Sequence, residues 1–238
     1  MSIPSRSAKP GNYAMLVLLY VLLLAANQLF IIWNAEMGRF ISKCLLMPVL
    51  LCYFLLAAGN STTRGKIFIA LALLASWAGD VLLFFETIDN IYFMLGLASF
   101  LLAHIFYCIY FGRLCKPIAA GRAAIVSLLV VFYGGTLLYI LSPYLGDLKW
   151  PVRVYALVIS LMLLLSLFVH IAKRSRASML LASGAFFFVI SDSLLAINKF
   201  YISLPFAGVA VMSTYGIAQL MIVSGVLIEQ KQSAQQSI

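Results

Sequence analysis

The chain has 238 residues, of which 64% are hydrophobic and only 10% charged, and its mean hydropathy is +1.08. Water-soluble domains run nearer ~45–50% apolar and ~25% charged, so that class is excluded. The net charge of +9, from 16 Lys and Arg against 7 Asp and Glu, fits basic loops beside membrane spans; no motif for nucleic acid accompanies it.

In chain order, eight apolar runs approach the ~20 residues that one helical crossing needs. They cover 13–33, 41–58, 66–85, 92–111, 123–141, 152–171, 177–197 and 206–228. The predicted fold class is all-α: a polytopic membrane protein built as a bundle of eight transmembrane helices. Unbroken runs of this length exclude a barrel, whose strands alternate over ~10 residues. Residues 1–12 read as a cytoplasmic N-terminal segment, 13–228 as the transmembrane domain, and 229–238 as a polar cytoplasmic tail without fixed structure. The first run is too long for a cleavable signal, and no small-residue cleavage site follows it. Pro48 lies inside the second and shortest run and predicts a kink there.

Basic residues set the expected orientation. The two termini and the second, fourth and sixth loops carry 11 Lys and Arg; the other loops carry five, namely Arg39, Lys43, Lys149, Arg153 and Lys199. That bias places both termini in the cytoplasm. Cys44, Cys52, Cys108 and Cys115 show no C-x-x-C spacing and read as small apolar side chains.

Ionisable groups within a bilayer are costly, so each is a candidate for function. Five of the seven acids fall in loops or at span ends; Asp80 and Asp192 lie deep in the third and seventh runs. At ~1.5 Å per residue they sit about 6 and 7.5 Å beyond the midplane, at nearly one level in the outer half. Other polar residues share that zone: Asn27, Lys43, His104, Tyr107, Asn198, Tyr215 and Gln219. For the amides and tyrosines, hydrogen-bond glue between helices is an equal reading, and Lys43 could instead snorkel to the interface.

Two histidines in the whole chain exclude a three-His zinc site, so no metal is expected. A Ser-His-Asp triad through Ser191 or Ser193 lacks any G-x-S-x-G elbow. No cofactor fingerprint is present either, so catalysis without an organic cofactor is the expectation. Paired carboxyls in a low-dielectric site share one proton, leaving an acid beside an anion. That suits reactions through an oxocarbenium, such as hydrolysis of a glycoside or an enol ether. A site at membrane depth implies a lipid substrate. Two rivals use the same residues. An intramembrane aspartyl protease would show Gly-x-Gly-Asp, where residues 77–80 read Trp-Ala-Gly-Asp. A proton-coupled transporter would use the aspartates as its relay.

The segments Gly79-Asp80, Ala103-His104-Ile105-Phe106-Tyr107, Gly184 through Asp192, and Tyr215-Gly216-Ile217-Ala218-Gln219, with Lys43 and Pro48 in the second run, resemble in order and spacing the YhhN-like lysoplasmalogenases. The resemblance covers nearly the whole chain. It implies an eight-span fold and cleavage of the vinyl ether of lysoplasmalogen to a fatty aldehyde and glycerophospho-ethanolamine or -choline. It also implies Asp80 and Asp192 as the catalytic pair. Lys43 and His104 would bind phosphate or tune the carboxyls; Asn27, Tyr107, Asn198, Tyr215 and Gln219 would orient water and headgroup. The expected partners are a lysophospholipid and membrane lipids, in a bacterial inner membrane or the endoplasmic reticulum.

Overall fold

The computed structural model describes residues 11–59 and 64–236. Among them there are eight long helices and no strand: α1 (Gly11–Ile32), α2 (Glu36–Ala57), α3 (Arg64–Phe84), α4 (Asn90–Leu114), α5 (Ala120–Leu141), α6 (Lys149–Lys173), α7 (Arg176–Ala196) and α8 (Ala207–Gln236). Two short 3₁₀ turns link α5 to α6, and a π-helical turn, Ile197–Tyr201, extends α7. All eight are long and apolar enough to cross a membrane. Their outer faces say the same. On α5, Leu128, Leu129, Val131 and Phe132 are 63–71% exposed, an apolar surface that lipid covers at no cost.

Helix ends follow local chemistry. Asp89 caps α4 by accepting from the Ile91 amide at 2.9 Å. Ser175 and Ser178 form a reciprocal capping box at the start of α7. Asn34, at φ 53°, makes the tight reversal between α1 and α2, a conformation that asparagine tolerates better than most residues.

Several helices outrun their apolar segments. The second begins at Glu36 rather than 41, because Glu36 and Arg39 continue the backbone ladder into the polar zone. The expectation of an unstructured tail is corrected: α8 continues through Gln236. Glu229 is buried there and meets Lys173 of α6 at 2.5 Å, so a helical ion pair holds the last turns against the bundle. Of the N-terminal segment 1–12, residues 1–10 lie outside the described residues, as do 237–238, and the remaining two already belong to α1.

Sequential helices pack as hairpins, with α7 against α8 the most intimate pair, followed by α3 against α4 and α1 against α2. Glycine makes the closest approach possible. A Cβ on Gly184 would lie 2.7 Å from Ile222 and 2.9 Å from the Ala218 carbonyl. Non-sequential packing then builds the centre: α4 rests on α6, and α1 closes onto α8. Helix α5 touches chiefly α6 and so stands at the periphery. Among the described residues the larger of two core clusters runs through the middle, from Tyr20 and Leu46 to Phe188 and Val226, and a smaller one gathers Leu141, Leu145 and Val152.

Pro48 does not end α2, which runs unbroken from Glu36 to Ala57. Proline has no N–H to give the carbonyl one turn back, that of Cys44. The indole Nε1 of Trp77 on α3 donates to that carbonyl at 3.0 Å. A freed backbone group in the membrane is thereby satisfied by the neighbouring helix. The same bond fixes α2 against the stretch of α3 that carries Asp80.

Candidate active site

Asp80 lies one turn after Ser76 on α3, and Tyr215 one turn before Gln219 on α8. Residues spaced by four share a helix face, so the two stripes meet as a two-rung ladder. The Tyr215 hydroxyl donates to Asp80 Oδ2 at 2.8 Å, and Gln219 Nε2 donates to Ser76 Oγ at 2.9 Å. Tyr107 of α4 completes the second rung by donating to Gln219 Oε1 at 2.5 Å. Lys43 Nζ approaches Asp80 Oδ1 to 3.6 Å, and both side chains are withdrawn from solvent. Lys43 is therefore turned inward as the counter-ion of Asp80 and does not snorkel. Tyr20 of α1, fully buried, donates to the carbonyl of Gly216 at 2.9 Å and pins α8 beside Tyr215.

Asp192 has a different setting. Its Oδ2 accepts from the Tyr155 hydroxyl of α6 and stands 3.7 Å from His104 Nε2. That imidazole is fully buried among rings, 4.6 Å from Phe188 and 5.2 Å from Tyr155. Among the described residues Asp192 has no Lys or Arg partner. Its side chain keeps 15% of its surface accessible, against 2% for Asp80.

The accessible part of Asp192 borders a cavity. A partly open cavity of about 80 Å³ lies among α4, α5, α6 and α7, with Leu83 of α3 and Phe200 at its edge. Its walls are nearly all apolar, including Leu97, Leu137, Val152, Ile159 and Val189. Polar groups cluster at Asp192, Tyr155 and the Tyr133–Ser193 contact, where the tyrosine hydroxyl meets Ser193 Oγ at 2.9 Å. An apolar lining with few converging polar groups is characteristic of a small-molecule site. Asp80 does not line it. An aromatic layer intervenes: Phe100, which lines the cavity, packs 5.8 Å from Tyr215, and Phe188 packs 5.4 Å from it. Gly79 admits Phe100 to this layer, since a Cβ there would fall 2.6 Å from the ring.

Of the nine residues singled out in the sequence, Lys43, Asp80, Tyr107, Tyr215 and Gln219 share one network, and His104 and Asp192 meet in a second across the aromatic layer. Asn27 and Asn198 stand apart from both. Asn27 staples α1 to α2 through Ser42 Oγ at 2.9 Å and the Arg39 carbonyl at 3.1 Å. Asn198 accepts from the Leu204 amide at 2.9 Å and shapes the link into α8. Nor do the serines form a triad: Ser191 donates to the Val211 carbonyl and Ser193 to that of Val189. Tyr155 escapes a reading by sequence, because a tyrosine near the end of a span resembles an interfacial belt residue. Its signal is the spacing of four from Ile159, which puts both on the cavity face.

A model of the YhhN family matches residues 38–226. Curated relatives include human "Lysoplasmalogenase TMEM86A", 33% identical over 71% of this chain and 67% of that protein. Mouse "Lysoplasmalogenase TMEM86B" is 31% identical over 86% of this chain and 84% of its own length. A "Lysoplasmalogenase" of Mycobacterium tuberculosis is 31% identical over 71% of this chain and 64% of that protein. No solved structure matches significantly. Since the family match takes in α3 to α7, most of α2 and α8, and every residue of the Asp80 and Asp192 clusters except Tyr20, the chain belongs to the YhhN family.

Proposed function

We propose that this protein is a membrane hydrolase that cleaves the vinyl ether of lysoplasmalogen, as the names of its relatives indicate for them, and that Asp192 is the acid. The observation that carries the reading is the placement of an uncompensated carboxyl at the polar end of an apolar cavity. The vinyl ether lies in this cavity with its carbons beside Asp192.

The chemistry then balances without further groups. Asp192 gives its proton to the outer vinyl carbon, and the ether oxygen shares the positive charge left on the inner carbon. Water adds to that carbon and returns a proton to the Asp192 carboxylate. The resulting hemiacetal collapses to a fatty aldehyde and the glycerol hydroxyl of the headgroup fragment. Asp80, already paired with Lys43 and held by Tyr215, is the anion that steadies the developing cation through the aromatic layer. The phenol of Tyr155 holds the Asp192 carboxyl toward the cavity, and His104 stands ready to accept a hydrogen bond as charge shifts. In this reading both termini face the cytosol, following the distribution of basic residues.

Mass spectrometry of the purified protein with lysoplasmalogen tests this directly. Free aldehyde is expected from the vinyl ether and none from the saturated ether of equal length. Uptake of intact lipid into sealed proteoliposomes, with no aldehyde formed, would favour the transporter instead.

A further inference from the structure

The end of the cavity nearest the α7–α8 link carries a charge pair that the mechanism above leaves unused. Lys199 Nζ meets Glu86 Oε2 at 2.9 Å, and the two side chains remain 31% and 29% exposed. The pair joins the π-helical turn after α7 to the segment following α3. Lys199 also stands over the ring of Phe93, 4.6 Å from its centroid, and Phe93 lines the cavity. Phe200, next in the chain, lines it too and packs edge-on against Phe93 at 5.8 Å.

We infer that Lys199 and Glu86 form the headgroup site for a zwitterionic phosphoamine, Lys199 taking the phosphate and Glu86 the ammonium. The inference rests on the hydrolase reading of the cavity. Three observations carry it. The first is spacing: Asp192, Ala196 and Lys199 follow at four and seven residues, and the first two line the cavity. Seven residues of helix advance about 10 Å. The reacting vinyl carbon and the phosphorus of a lysoplasmalogen are seven bonds apart, roughly 9 Å when extended at ordinary bond lengths. The second is chemistry: a mutually neutralising pair, about a third exposed, presents a cation and an anion side by side, the inverse of the headgroup's own charges. The third is the setting of Glu86. It directly follows Phe84 and Phe85, whose rings pack with Phe40 and Tyr92, and aromatic faces favour ammonium ions, quaternary ones included.

Four substrates with one alkenyl chain separate the roles: the phosphoethanolamine, the phosphocholine, the bare phosphate and the glycerol lacking phosphate. Lys199→Met is expected to raise KM about tenfold for the three phosphates, with the loss confined to them, as expected for one charge-assisted contact. Glu86→Gln is expected to raise KM only for the two amines. The charge-reversed double variant E86K/K199E re-forms an ion pair and stays impaired on the phosphoethanolamine. Wild-type KM in that double variant, or equal losses on all four substrates, would assign the pair to holding the two segments together and overturn the inference. Absence of aldehyde from every substrate would count against the hydrolase reading alone. In that case binding of the saturated-ether phosphoethanolamine decides: weakening of about tenfold in either single variant supports the headgroup site, and unchanged binding in both overturns it.

Discussion

Lys43 shows how one buried charge controls a neighbour's state. Removing one partner of a buried pair leaves an unmatched charge and costs about 3–5 kcal/mol. Lys43→Met is therefore expected to lower stability by that order, read as midpoint of thermal unfolding in detergent. Adding Asp80→Asn to Lys43→Met should recover most of the loss while activity stays absent. Equal instability in the single and double variants would show that packing, not charge, is the role of Lys43. The same residue illustrates what sequence makes legible. Lysine near a span end reads equally as a snorkelling group, and only the third dimension shows it turned inward toward Asp80. Asp80 and Asp192 themselves are legible because nothing else in an apolar run is so costly. Asn27 and Asn198 carry no such distinction, since an amide binds backbone as readily as substrate.

Single helices were easier to read than their pairing. Apolar length located all eight, but α2 begins earlier and α8 ends later, since backbone bonding continues where polar side chains allow it. Pro48 leaves the Cys44 carbonyl without its helical donor, and Trp77 supplies one, a compensation from another helix that no local pattern contains. The repair can be measured as a coupling. Trp77→Phe is expected to cost about 1 kcal/mol, the scale of one hydrogen bond. In a Pro48→Ala background, where the restored amide serves the Cys44 carbonyl, the same change should cost markedly less. Equal costs in the two backgrounds would show that the indole bond contributes nothing to the α2–α3 contact. Tyr155 belongs to this scale too: its place in the site follows from α6 packing on both α4 and α7.

At the scale of the whole molecule, the bundle separates two tasks. The Asp80 ladder joins α2, α3, α4 and α8 at the centre, whereas the cavity has the peripheral α5 as one wall. A substrate can thus be accommodated without disturbing the network behind the aromatic layer. Filling the cavity should weaken substrate binding before it changes chemistry. Ala156→Phe, which intrudes on the cavity from α6, is expected to raise KM severalfold with kcat little changed. An unchanged KM would place the substrate elsewhere. Overall orientation is testable in the same preparation. Cysteines introduced at each terminus should both react with an impermeant thiol reagent from the cytosolic side; labelling of either from the opposite side would reverse the assignment.

The account turns on Asp192 as the proton donor, and turnover of the Asp192→Asn protein measures this most directly. The asparagine keeps the shape and can still bond Tyr155, so folding and binding of the saturated-ether analogue should persist. Aldehyde release is expected to fall by about 10²–10⁴, the usual contribution of a positioned acid. Turnover within a few-fold of the parent protein, in a sample that still binds the analogue, would contradict it.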